Sequence, residues 1–268
     1  MRFPFDGQRV LVTGASLGIG RAFATRMAAD GSDLVLVSRR RIALTTLADE
    51  LRARYCVEVD VVAADLSLPG AAASLVSTLD RRGLKVDVLV NNAGLGVHGD
   101  LAQSRLVTVS QQIGVNVTAL TELTTLLLPG MVARRRGTVI NVAGTAAFQP
   151  VPHMAVYAAT KAYVLSFTRA LWSETRGSGV RVLAVCPGAT DTAFFDIAGE
   201  AASVGSRRTP EQVVDSTLRA LHSGYPDVVD GTANALLARV ASRIPNRLAI
   251  TLAERSVRPE PFSAVLIS

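Results

Sequence analysis

The sequence predicts an α/β protein: a doubly wound parallel sheet of seven strands with helices on both faces. Three observations predict it. Short β-branched runs alternate with longer segments of helical period. A glycine-rich turn joins the first strand to the first helix. Small polar turns follow the later strands, at the end of an open sheet where ligands bind. The 268 residues suffice for one large domain, and no repeat, low-complexity tract or linker divides residues 1–268.

Strands are expected at residues 9–12, 34–37, 57–62, 86–90, 138–142, 180–185 and 228–229. Helices are expected at 19–29, 42–54, 71–82, a long segment ending near 136, 156–176 and 210–223. Gly83, Gly137 and Gly177 fall where helices should stop and suit left-handed caps.

The net charge is +6, and of the 28 basic residues only Lys85 and Lys161 are lysines. The arginines are scattered and aromatics are only 5%, so nucleic-acid binding is not expected. Cys56 and Cys186 lie far apart, each in an apolar, strand-like run, which argues against a disulfide framework or a metal site. A reducing, cytoplasmic setting follows as the expectation. The first strand pattern is reached within about ten residues, so no signal peptide is expected. The best apolar stretch, residues 119–129, is broken by Glu122 and several threonines, so a soluble protein is expected.

After the first strand comes Thr13-Gly14-Ala15-Ser16-Leu17-Gly18-Ile19-Gly20, which runs into a helix. Its glycines permit a tight turn and a close backbone approach to a pyrophosphate, and the helix N-terminus offers N–H groups and a positive dipole end. In this strand-turn-helix setting the motif reads as a Rossmann-type dinucleotide site. After the second strand, where a carboxylate would bind the adenosine ribose, stand Ser38-Arg39-Arg40-Arg41. A guanidinium there attracts a 2′-phosphate, so NADP(H) is expected ahead of NAD(H), with Arg39 the first choice for the contact. The alternative is that these arginines form a solvated helix start. Asp65-Leu66 after the third strand and Asn91-Asn92-Ala93-Gly94 after the fourth suit the adenine and ribose.

Tyr157 and Lys161 stand one helical turn apart on the same face. A phenol that ionises near pH 10 needs a nearby positive charge to work at neutral pH, and Lys161 supplies one.

These residues, together with Asn116 and Pro187-Gly188-x-x-x-Thr192, resemble the short-chain dehydrogenase/reductase family over nearly the whole chain. The resemblance implies that Tyr157 protonates a carbonyl oxygen as hydride arrives from the nicotinamide. It implies that Lys161 binds the nicotinamide ribose and lowers the tyrosine's pKa, and that Asn116 bends its helix and holds a relay water. Pro187, Gly188, Thr190 and Thr192 would contact the nicotinamide end, with Thr192 at the carboxamide. The family's serine, thirteen residues before the tyrosine, is here Gly144, with Thr145 beside it as a replacement donor. Loss of such a donor costs on the order of a hundred- to a thousandfold in rate. Two functions follow: an NADP(H)-dependent carbonyl/alcohol oxidoreductase, or an NADP(H)-binding sensor with weak or no turnover.

Residues 191–210 are expected to form a substrate flap, and Phe194, Phe195 and Ile197 suit either a hydrophobic small-molecule substrate or packing on the sheet. His98 and His153 could line the pocket. From residue 232 to 268 a basic amphipathic extension carries Leu236, Leu237, Val240, Ala241 and Ile244 on one stripe and Arg239, Arg243 and Arg247 on another, with a break at Pro245. It can pack on its own domain, cover a neighbouring subunit or contact a membrane surface. The resemblance also implies a homodimer or homotetramer built through the long helices before the fifth and sixth strands.

Overall fold

The computed structural model describes residues 5–192 and 207–257. Seven strands, β1 (Arg9–Thr13), β2 (Asp33–Ser38), β3 (Val59–Ala63), β4 (Val88–Asn91), β5 (Gly137–Val142), β6 (Val180–Cys186) and β7 (Asp227–Val229), form one sheet in the order β3-β2-β1-β4-β5-β6-β7. Every pairing is parallel. The helices are α1 (Gly18–Ala29), α2 (Arg41–Tyr55), α3 (Ala71–Arg81), α4 (Leu106–Ile113), α5 (Ala119–Ala133), α6 (Ala155–Glu174), α7 (Pro210–Ala220), α8 (Thr232–Ala241) and α9 (Asn246–Val257).

Strand residues alternate between the two faces. Val10, Val12, Leu34 and Leu36 pack with Phe23 and Met27 of α1, Leu44 and Leu47 of α2, and Val213 and Leu218 of α7. Leu11, Val35, Val37 and Leu89 pack with Leu75 and Leu79 of α3, Leu123 and Met131 of α5, and Leu171 of α6. Each fully buried side chain of this size contributes roughly 1.5–3 kcal/mol. A buried polar ladder ties the centre together: the Asn91 amide donates to Thr124 and Asn141, paired across β4 and β5, and Asn141 donates to Thr168. The order of connection reverses between β1 and β4, so the crevice at their carboxyl ends is the ligand position that the winding dictates.

Several expectations need correcting. Gly137 is not a cap but the first residue of β5, where a Cβ would come within 2.6 Å of Met131 Cβ; the left-handed residue after α5 is Arg135, at φ +51°. Gly83 and Gly177 are left-handed as expected. Cys56 lies in no strand: it caps α2 at φ +56° and is exposed, and both cysteines are free. The long segment before β5 is α4, a π turn at Gly114–Thr118 and α5. As one stretch, Leu106–Ala133 is long and apolar enough by length and composition to cross a membrane. Its Asn116, Leu120, Leu123, Thr124 and Met131 are buried against the fold. Pro245 separates α8 from α9, as expected. The apolar stripe of α8 does not pack on its own domain, because Leu236, Leu237 and Val240 are exposed and Ala238 is the buried residue of that helix. Phe194, Phe195 and Ile197 lie outside the described residues.

Candidate active site

The crevice begins at Thr13, the last residue of β1. Its hydroxyl donates to Val90 O and accepts from the backbone N–H groups of Asn92 (2.9 Å) and Ala93 (3.0 Å). Asn92 returns its side-chain amide to Thr13 O at 2.9 Å and Gly14 O at 3.3 Å. Asn92 therefore works on the glycine turn itself, as a brace between β4 and β1. Gly14 is left-handed at φ +66°, and a Cβ there would lie 2.8 Å from the Asn92 amide. Gly20 has no room for a Cβ either, because it would strike Gly14 O. Leu17, the N-cap of α1, is extended and supplies no side-chain cap. The first N–H groups of α1 are left to an external acceptor, which fits a pyrophosphate. Ser16 and Leu17 lie in the turn, and Gly18 and Ile19 open α1.

Ser38 ends β2 and accepts from the Arg40 N–H at 3.2 Å. Arg39 and Arg40 are exposed beside it. After β3, Asp65 accepts from the Ser67 N–H (3.0 Å) and hydroxyl (2.7 Å). Partial burial raises the Asp65 pKa, but these hydrogen bonds and the Arg39 charge outweigh it, and the carboxyl sits below its ordinary value. The Arg39 charge thus reaches Asp65 after β3. Leu66 is buried, with Ala93 packed against the same cluster. A Cβ on Gly94 would lie 3.3 Å from Asn116 Oδ1 and 3.7 Å from Lys161 Nζ.

At the other end, α6 carries Tyr157 and Lys161. The Lys161 ammonium is buried, donates to Val142 O at 2.8 Å and stands 5.6 Å from the centre of the Tyr157 ring. Burial lowers its pKa to about 8. The Tyr157 ring is half-buried, and desolvation pushes its phenol up to about 12, opposite to the lowering that the resemblance implies. One of the three Lys161 donors goes to the β5 carbonyl, and desolvation is the cause of the phenol's shift. Asn116 lies in the π turn, where one extra residue turns its side chain inward. Its amide donates to Leu95 O (3.0 Å) and Thr160 Oγ1 (2.9 Å), and its Oδ1 accepts from the Leu95 N–H (2.8 Å). Asn116 therefore fastens the loop after β4 to the helix of Tyr157.

Gly144 follows β5 with φ 160° and ψ 164°, extended backbone that any residue adopts. A Cβ there would meet Pro187 O at 3.7 Å, Tyr157 Oη at 3.9 Å and Lys161 Cγ at 4.0 Å, all ordinary contacts. The empty position thus faces the tyrosine hydroxyl. Thr145 is half-buried, donates its N–H to Pro187 O at 2.8 Å and opens a 3-10 turn, Thr145–Phe148. After β6, Thr192 packs on the glycine turn, with its Cγ2 2.8 Å from where a Gly18 Cβ would stand. Gly188 packs beneath Asn234 of α8, and the Thr190 hydroxyl donates to Gly188 O at 3.1 Å.

Three arrangements had no sequence signal, because each joins residues distant along the chain. Arg208 pairs with the fully buried Asp230 at 2.6 Å and bridges Thr190, so it anchors the far stem of the segment after Thr192. His153 is left-handed at φ +59° and bonds Asp100 at 2.6 Å. His98 bonds Val257 O, at the end of α9, at 2.6 Å. Both histidines therefore brace the rim. Among the described residues no His/Cys/Asp/Glu group could hold a metal ion.

A sheet reversing at a glycine turn, with a Tyr/Lys pair across the crevice, is the layout of a dinucleotide-dependent oxidoreductase. Residues 8–202 match the family model for short chain dehydrogenases, and the chain belongs to that family. The very-long-chain 3-oxoacyl-CoA reductase of Bos taurus is 30% identical over 263 residues, covering 93% of this chain and 80% of that protein. Among solved structures, a 7beta-hydroxysteroid dehydrogenase superposes with a TM-score of 0.85 at 29% identity, over 94% of this chain and 99% of the other. A short-chain dehydrogenase from Sphingobium yanoikuyae in complex with NADPH gives 0.79 at 32% identity, over 89% and 96%. One from Burkholderia phymatum in complex with NAD gives 0.79 at 28%, over 89% and 94%. The protein is an oxidoreductase of the CH–OH/C=O type with a nicotinamide dinucleotide as its cofactor.

Proposed function

We propose that this enzyme is an NADP(H)-preferring reductase of hydrophobic carbonyl compounds, with 3-oxoacyl thioesters as the leading substrate class, in a cytoplasmic setting. The observation that carries the chemistry is the disposition of Tyr157 and Lys161 about Gly144, with the tyrosine hydroxyl 3.9 Å from a Cβ position there. The relative named for long-chain 3-oxoacyl-CoA reduction supports the substrate class. The exposed Arg39 beside Ser38, in place of a carboxylate, supports NADP(H).

When bound, the nicotinamide dinucleotide supplies or accepts the hydride. Gly14, Gly18 and the open N-terminus of α1 would hold its pyrophosphate, with Ser38, Arg39, Arg40 and Asp65 at the adenosine end. In reduction, Tyr157 delivers its proton to the carbonyl oxygen, and its raised pKa keeps that proton in place at neutral pH. Lys161, charged below about pH 8, stabilises the phenolate left behind and is aimed by Val142 O. Thr145, beside Gly144, is the neighbouring hydroxyl in this stretch, but Gly144 itself brings no donor to the carbonyl.

A homo-oligomer built through the segment before β5 and through α6 is supported by exposed Leu106 and Val107 of α4 and Leu126 of α5, and by an apolar groove lined by Ile113, Val117, Ala155, Val156 and Ala159. The test of the function is a screen of 3-oxoacyl thioesters, ketones and alcohols by nicotinamide absorbance. Absence of turnover with every carbonyl class, despite measurable cofactor binding, would favour the sensor reading that Gly144 motivates.

A further inference from the structure

We propose that the outward face of α8, with its neighbouring arginines, docks this enzyme on an anionic lipid bilayer, with the substrate mouth beside the membrane. The proposal goes beyond the reductase reading and depends on it only for the benefit that docking brings.

A helix covering a soluble fold turns its apolar stripe inward. Helix α8 does the reverse. Ala238 alone is buried; Leu236 and Val240, two residues to either side, stand on the opposite surface at 63% and 47% exposure, and Leu237 is 64% exposed. Arg239 lies on the flank of that stripe, and Arg243, in the turn just past the helix, folds back to donate to Arg239 O at 3.0 Å. Helix α9 buries Ala249, Ala253 and Val257 and leaves Leu248 and Leu252 about half-exposed.

Charge selects the occupant. Residues 232–257 carry four arginines, at 239, 243, 247 and 255, against a single acid, Glu254. A second copy meeting this face about a twofold axis would set arginine against arginine. An anionic headgroup layer accepts the arginines while the leucines and Val240 enter the acyl boundary, as in interfacial amphipathic helices.

The face is also well placed. Helix α8 packs on the Thr145–Phe148 turn beside Gly144, and its Asn234 covers Gly188. Helix α9 ends on His98. A bilayer under α8 therefore lies beside the Gly144 end of the crevice, which gives an acyl substrate a short path from lipid to Tyr157.

The test is co-sedimentation of the full chain, without substrate or cofactor, with phosphatidylcholine vesicles containing phosphatidylglycerol, and with phosphatidylcholine alone. Binding is expected to the mixed vesicles, weakened by salt. Leu236→Asp/Val240→Asp and, separately, Arg239→Glu/Arg243→Glu should each weaken it by at least about tenfold. Both variants should keep turnover of a water-soluble carbonyl substrate within about twofold of the parent, because neither pair belongs to the catalytic machinery. No sedimentation with mixed vesicles, or undiminished sedimentation of both variants, overturns the proposal. So does conversion of an oligomer to a smaller species by Leu236→Asp/Val240→Asp in lipid-free gel filtration, which assigns the face to a second copy. Vesicle binding without reductase activity would sink only the proposed reaction.

Discussion

Substituting serine at Gly144 should raise the reductase rate substantially. The backbone there is already extended, so a side chain brings no conformational penalty. The new Cβ would make ordinary contacts at 3.7–4.0 Å with Pro187 O, Tyr157 Oη and Lys161 Cγ, so nothing need move. The Oγ lies one bond further out, and a staggered rotamer carries it towards the tyrosine hydroxyl, where a substrate carbonyl must sit to receive that proton. A donor at a developing oxyanion is worth on the order of a hundred- to a thousandfold in rate, about 2.7–4 kcal/mol. Pro187 O competes for the same hydroxyl, but it already accepts from the Thr145 N–H at 2.8 Å. Gly144→Ser is therefore expected to raise kcat by at least about tenfold, with cofactor Kd unchanged. Gly144→Ala fills the same space without a donor and is the control. A serine variant no faster than the alanine variant would refute the reasoning, and the missing hydroxyl would not be what limits this site.

Replacing Arg39 with aspartate should weaken NADPH by at least about tenfold relative to NADH, read by fluorescence titration; equal losses would remove Arg39 from the 2′-phosphate. Reductive kcat/KM should fall above about pH 8, because Lys161 is protonated below its lowered pKa and neutral above it, and a profile flat to pH 10 would contradict that role. The same shift means that the unfolded chain keeps a proton which the folded chain loses between pH 8 and 10.5, so the burial cost operates below that window and is relieved through it. Lys161→Met should accordingly raise Tm by a few degrees, about 1–3 kcal/mol, while abolishing turnover; a lower Tm would show that the Val142 hydrogen bond outweighs desolvation. Arg208→Met leaves the Asp230 carboxylate buried without its partner and should cost about 3 kcal/mol, or roughly 6–12 °C in Tm by calorimetry. A change under 1 °C would mean that the pair anchors nothing.

The glycine turn was legible because its geometry is local. A strand, three glycines and a helix start within eight residues define the turn, and the period-2 alternation of Val10, Leu11 and Val12 between the two cores is written in the run itself. What could not be read depends on long-range packing. Gly137 resembles a cap, but Met131 decides its place, and Arg135 takes the left-handed position. One residue inserted at Gly114–Thr118 hides within a helical period, yet it turns Asn116 towards Leu95 and Thr160. The stripe on α8 was visible from its spacing, whereas the direction it faces is set by which side chain, Ala238, is buried. Asp230 and Arg208 are 22 residues apart and gave no local signal.

The central claim is that Tyr157 transfers the proton in a reaction run on a bound nicotinamide dinucleotide, and one paired measurement tests it most directly. Turnover and NADPH Kd are determined for the parent and for Tyr157→Phe with the best 3-oxoacyl thioester or ketone from the screen. The expected result is a fall in kcat of at least a hundredfold with Kd changed by less than about threefold. A phenylalanine variant that reduces the substrate at the parent's rate would contradict the account.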